Sequence, residues 1–138
     1  MLIIIADIFF TIFHTFLIIF NITGWIFKKT RLINFISLFL TGISWSILGI
    51  FYGFGYCPLT DWHFTILNKL GYNNLPDSYI SFLILRILSI RVNQNLVDFL
   101  TLLFFLISFT ISFILNFKML AKFVKKIKLI IFKEKNYE

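Results

Sequence analysis

Five side chains in this sequence are the candidates for chemistry by type and placement: Asp7, His14, Cys57, Asp61 and His63. Cys57 is the single cysteine, and with His63 six residues on it could form a thiol nucleophile and its base, provided the two come within hydrogen-bond reach. One cysteine and one histidine are too few for a structural zinc site, so no metal is expected. Asp7 and His14 lie seven residues apart in a long apolar segment, on one helical stripe and about 10 Å apart along the axis. A histidine inside a membrane is costly, and it serves typically as a proton carrier, a haem ligand or a contact for a quinone-like molecule. A bis-histidine haem would need His63 at the depth of His14, which the topology below does not supply. No cofactor is therefore predicted.

Each of these residues also has a purely structural reading. Asp7, Thr11, His14, Ile18, Asn21 and Trp25 form one stripe, Asn34, Ser37, Thr41 and Ser44 a second, and Thr101, Ser108, Ser112 and Asn116 a third. Lipid offers such side chains no partners, so the three polar stripes should face one another as helix-to-helix glue. Asp7 and Asp98 resemble a carboxylate pair, yet they are expected to pair with Arg86 and Arg91 and fasten an outer cap to the bundle. Around Cys57, the glycines Gly53 and Gly55 let the chain turn, Pro58 stiffens the exit, and Tyr52, Tyr56 and Trp62 suit a headgroup belt.

The elements that must position these groups follow from composition. With 59% hydrophobic residues in 138 and a mean hydropathy of +0.93, the chain is more apolar than a soluble domain of this size can bury. The reading is an all-α membrane protein with three transmembrane helices, a short extracytoplasmic helical cap and a basic amphipathic C-terminal tail. The spans are expected at about 2–27, 32–56 and 96–117, the cap at 57–95 and the tail at 118–138, in a single membrane domain. Met1-Leu2-Ile3-Ile4 has no basic flank and no cleavage site follows, so the first segment is expected to be retained.

The formal charge of +7 does not point to nucleic acid, because the lysines flank apolar spans, where they set topology and contact anionic lipid. Lys28, Lys29 and Arg31 on one loop and the lysines of the tail mark one side as cytoplasmic. Three spans put both on that side, with the N-terminus and the cap outside. The expected location is the bacterial inner membrane.

Within the cap, Thr60 or Asp61 can start a short helix that stops at Gly71, and Pro76 can open a second that runs to about Ile90 or Val92. The 76–92 segment is too short and too charged to span comfortably; it is expected at the interface or re-entrant, with a fourth span as the alternative. The tail alternates lysines with Phe123, Val124, Ile127, Ile130 and Ile131, as an amphipathic helix on the inner leaflet would.

At Cys57-Pro58-Leu59-Thr60 the chain resembles a family of small bacterial integral membrane proteins of unknown function, in which this turn follows the second transmembrane helix. Asp7, His14, the basic loop Lys28 to Arg31, Gly71-Tyr72 and Tyr79-Ile80 fit the same pattern. The pattern's glutamate shortly after the turn falls among Asp61, Trp62 and His63 and is absent here. The resemblance implies location and architecture, and no activity.

The leading expectation is thus a non-enzymatic accessory or scaffold protein. Its partners would be the lipid bilayer and other membrane proteins, or itself through the small-residue stripe Gly42, Ser46, Gly49 and Gly53, with no nucleic acid. The rival is a small membrane enzyme or carrier for a lipid-soluble cofactor or proton, using the His14 and Asp7 stripe with Cys57, Asp61 and His63 at its mouth. The depth of His14, and whether a cavity adjoins it, separate the two.

Overall fold

The structure, a computed structural model, describes the backbone of residues 1–53 and 55–135, with side chains described for these residues up to 117 and for 121–122. Every regular element among the described residues is helical. Three helices are long and apolar enough to cross a membrane: α1 (Leu2–Thr23), α2 (Arg31–Tyr52) and the first part, Gln94–Phe117, of α5 (Gln94–Lys135). At 1.5 Å per residue each reaches about 33–36 Å, enough for a hydrocarbon core of about 30 Å. Two short helices, α3 (Pro58–Lys69) and α4 (Tyr79–Leu88), lie between α2 and α5 in sequence. The tail continues α5 as helical backbone, and the expected amphipathic face of that tail lies outside the described side chains.

Polar glue holds the spans together where the stripes meet. Asn21 Nδ2 donates to Thr41 Oγ1 at 3.2 Å, and Ser37 Oγ donates to Asn21 Oδ1 at 2.6 Å. Asn34, fully buried, donates from Nδ2 to the Phe20 carbonyl at 2.7 Å, and Asn116 Nδ2 donates to the Arg31 carbonyl at 3.2 Å. α2 and α5 make the most extensive contact, through Phe35 with Phe109 and Phe113 and through Trp45 with Phe105. Most Ile, Leu and Phe side chains of the spans face outward, as lipid exposure requires. The apolar core is instead beneath the cap, where Leu67, Tyr79, Phe82 and Leu83 are buried together.

Just past the end of α1 the chain passes close to its neighbour α2 at Gly24, where only glycine fits. A Cβ there would sit 2.7 Å from the Phe20 carbonyl oxygen and 2.9 Å from Asn34 Nδ2. α2 carries one π-helical turn, Ser44–Leu48, a wider turn of the kind that often marks a functional position. Ser44 Oγ on it donates to the Tyr56 carbonyl at 2.8 Å, so the chain leaving α2 folds back alongside the helix it has left. Gly53 (φ +104°) and Gly55 (φ +86°) make that reversal possible, since the left-handed region favours glycine.

The cap departs from the sequence expectation in its helix starts. α3 begins at Pro58 behind Cys57, not behind Thr60 or Asp61, because proline at the first helical position needs no hydrogen-bond partner for its nitrogen. It ends before Gly71 (φ +92°), as expected. α4 begins at Tyr79 after an extended Ser78, not at Pro76, and stops at Ser89 in the left-handed conformation.

Candidate functional site

α1 and α3 each carry a pair of reactive residues at nearly equal spacing, Asp7 and His14 on one, Cys57 and His63 on the other. The two helices run side by side in opposite directions. Antiparallel packing therefore matches Cys57 to His14 and His63 to Asp7, and the observed contacts follow that match: Cys57 Sγ is 3.9 Å from His14 Nε2, and His63 Nε2 is 2.8 Å from Asp7 Oδ1. His63 is thus not the partner of Cys57, and the sequence pairing of those two gives way to a pairing across helices. Cys57 therefore stands level with His14, about 10 Å along the α1 axis from Asp7. His63 stays level with Asp7.

Asp7 is the hub of the outer cluster. It is 5% exposed, and Arg86 grips it with two parallel hydrogen bonds, Nη1 to Oδ1 at 2.7 Å and Nη2 to Oδ2 at 2.8 Å. Such a fork is the strong form of an ion pair. The same contact holds the Arg86 guanidinium pKa above its already high ordinary value. The charge pairing expected to fasten the cap exists here between Asp7 and Arg86. Arg91 instead lines a separate recess of about 360 Å³ with Ser81 and Asn74, and Asp98 has no ion-pair partner among the described residues.

His63 is fully buried and uses both ring nitrogens, Nε2 on Asp7 and Nδ1 on the Tyr79 hydroxyl at 2.9 Å. One tautomer satisfies both contacts: Nε2–H donates to the carboxylate and Nδ1 accepts from the phenol. Burial pushes the Tyr79 phenol above its ordinary value, which keeps it a donor. Phe10 stacks on one side of His63 and Phe82 meets it edge-on.

Tyr79 joins the two halves of the site. Its hydroxyl touches His63, while its ring stacks on His14 with centroids 3.9 Å apart and planes 19° apart. Tyr79 is not among the residues expected to do chemistry, although Tyr79-Ile80 belongs to the pattern on which the family resemblance rests; a further signal is its place four residues before Leu83 on the buried face of a short amphipathic helix. His14 is 6% exposed, and its Nδ1 is buried without a hydrogen-bond partner. A buried unmet nitrogen costs about 1–3 kcal/mol.

His14 and Cys57 also form part of the wall of a cavity of about 910 Å³ bounded by α1, α2, α3, α4 and α5. Its lining combines the apolar Leu17, Ile18, Leu38 and Phe105 with the polar Asn21, Thr41, Tyr52, Tyr56, Asp61 and Asp98. Asp61 accepts a hydrogen bond from the Tyr56 hydroxyl at 3.3 Å and does not reach Cys57 as a partner. Cys57 and His14 lack the third, orienting group of a nucleophilic triad, because Asp7 is committed to His63 and Arg86. No group of three metal-ligating side chains occurs among the described residues.

A family model described as "Protein of Unknown function (DUF2784)" matches residues 4–117, a span that contains every residue of this site. No curated protein and no solved structure matches the chain significantly.

Proposed function

The chain belongs to the DUF2784 family, whose description assigns no activity, and from the site geometry we propose that it is a small membrane carrier or binding protein for a lipid-soluble molecule. One observation carries the reading: the cavity of about 910 Å³ has Cys57 and His14 in its wall, at the depth of the spans. That volume suits a guest of drug or short-lipid size, and an apolar lining with a few polar groups is the usual make-up of such a site. Cys57 and His14 then serve as polar contacts for the guest. Among the described residues no side chain meets His14 Nδ1 to orient its ring, which supports binding over catalysis.

The scaffold reading draws less support. Gly42, the first residue of the small stripe, already has the Phe105 ring of its own chain 3.4 Å from where a Cβ would lie, so that position is used for packing within the bundle. The proposed location is a bacterial inner membrane with the N-terminus and cap outside and the basic loop inside, on the strength of the lysine distribution.

Labelling of Cys57 by a lipid-soluble maleimide tests the cavity. The reaction should be readily measured in the full chain and strongly slowed in Thr101→Trp, which fills the cavity from α5 without altering Cys57 or His14. An unchanged rate in that variant would contradict the proposal.

A further inference from the structure

Arg91, unlike Arg86, is left without a carboxylate. It has no ion-pair partner among the described residues, and it lines the recess of about 360 Å³ together with Asn74, Ser81 and Gln94. No aspartate or glutamate lines that recess among the described residues. Asp77 belongs to the wall of the large cavity, and the Gln94 amide reaches it from the recess with a hydrogen bond of 3.3 Å. A guanidinium so placed can hold an oxyanion by two parallel N–H bonds.

Two further groups of donors meet at the same recess, from different elements. α5 starts there at Gln94, with the positive end of a 42-residue helix. Asn93 takes the Leu96 N–H on its Oδ1 at 3.3 Å and the Val97 N–H on its carbonyl at 3.1 Å. The first two N–H groups of the helix, those of Gln94 and Asn95, are left for another acceptor. From α4 comes Ser81, 4% exposed, whose Oγ is buried at the recess wall with no hydrogen-bond partner. Buried hydroxyls are seldom left unpaired, and an oxyanion accepts the proton that this one has to donate.

Depth and surroundings say which oxyanion. Gln94 opens the span Gln94–Phe117, so Arg91 lies just before it, at the level where lipid phosphates border the hydrocarbon core. Beside Arg91 on the same connection, Ile87, Leu88 and Ile90 are 65%, 60% and 54% exposed, an apolar surface on which acyl chains can lie. We propose that the recess binds the phosphodiester of a membrane phospholipid, with Arg91 and the start of α5 on the phosphate oxygens and the acyl chains along Ile87, Leu88 and Ile90. Phosphate binding here requires no guest in the large cavity.

Dioleoylphosphatidylglycerol and dioleoylglycerol share their tails and differ in the phosphate head, while glycerophosphoglycerol carries the same phosphodiester without tails. Native mass spectrometry of the full chain in an uncharged maltoside detergent should find the phospholipid bound at least about tenfold more tightly than the diacylglycerol. Arg91→Gln should lose that preference, and Lys69→Gln, which removes a cap cation outside the recess, should keep it. Should Arg91→Gln not fold, rising ammonium acetate on the wild-type chain gives the same reading: it should weaken the phospholipid and leave the diacylglycerol unchanged. An excess of glycerophosphoglycerol should not displace the phospholipid; displacement would assign the recess to a soluble phosphodiester and overturn the lipid. Equal binding of the two lipids, a preference that survives Arg91→Gln or is lost as fully in Lys69→Gln, or salt-insensitive phospholipid binding overturns the site.

Discussion

Cys57 Sγ lies 3.9 Å from His14 Nε2, although 43 residues separate the two in the chain. The contact fixes how far Cys57 reaches along α1, because His14 lies near the middle of that helix, seven residues on from Asp7. A turn that composition places at the membrane surface is instead carried back among the spans. Gly53 and Gly55 permit the reversal, and Ser44 on the π-helical turn holds its far side.

Breaking the Asp7–Arg86 fork should be costly. Either Asp7→Asn or Arg86→Gln is expected to lower stability by about 2–3 kcal/mol, toward the low end for a buried pair because the guanidinium is a third exposed. The double variant should cost clearly less than the sum, with a coupling of at least about 1 kcal/mol. Unfolding in mild detergent measures all four states, and additive losses would remove the fork from its fastening role.

Tyr79 should separate into two contributions. Tyr79→Phe removes the hydroxyl from His63 but keeps the ring on His14, and should cost about 1–2 kcal/mol. Tyr79→Ala removes both and leaves a gap in the core beneath the cap, with a loss of about 3–5 kcal/mol. Thermal unfolding of the two variants side by side checks the order; equal losses would mean the ring contributes nothing of its own.

Two glycines should respond differently to alanine. At Gly24 the new methyl meets a backbone carbonyl and the Asn34 amide at under 3 Å, so Gly24→Ala should destabilise by about 1–3 kcal/mol and disturb the Asn34 to Phe20 bond. At Gly42 the nearest atom is the Phe105 ring at 3.4 Å, and Gly42→Ala should change stability by less than about 1 kcal/mol. Melting temperatures of the purified variants would reveal a reversal of that order.

Orientation can be read at the cap. In a chain carrying Cys57→Ala and Asn73→Cys, the new thiol sits on the exposed connection between α3 and α4. A membrane-impermeant maleimide should label it in intact cells. Labelling only in inverted vesicles would place the cap on the cytoplasmic side.

The spans were legible in the sequence because lipid-facing Ile, Leu and Phe leave long uncharged runs, and the polar stripes were legible because helical spacing puts Ser37 and Thr41 on one face of α2 and Asn21 on the polar stripe of α1, and lipid gives those faces no partner but each other. The pairing of Asp7 with Arg86 was also within reach, as charges near a membrane seek partners. The partners of the two histidines stay open in the sequence: His63 is six residues from Cys57, but those residues are nearly two helical turns and separate the pair along α3, so each finds its partner on α1 instead. Antiparallel packing of two ladders with similar spacing was the signal that would have matched them. The cavity corresponds to the rival reading only in part: His14, Cys57 and Asp61 line it, whereas Asp7 and His63 do not, because where α3 comes to rest against α1 buries those two in a cluster of their own.

Native mass spectrometry of the full chain, released from mild uncharged detergent, tests the central claim most directly. A cavity with Cys57 and His14 in its wall should retain one small apolar molecule in stoichiometric amount, and Thr101→Trp should lose it. A wild-type chain that emerges empty, or a bound species retained equally by Thr101→Trp, would contradict the account.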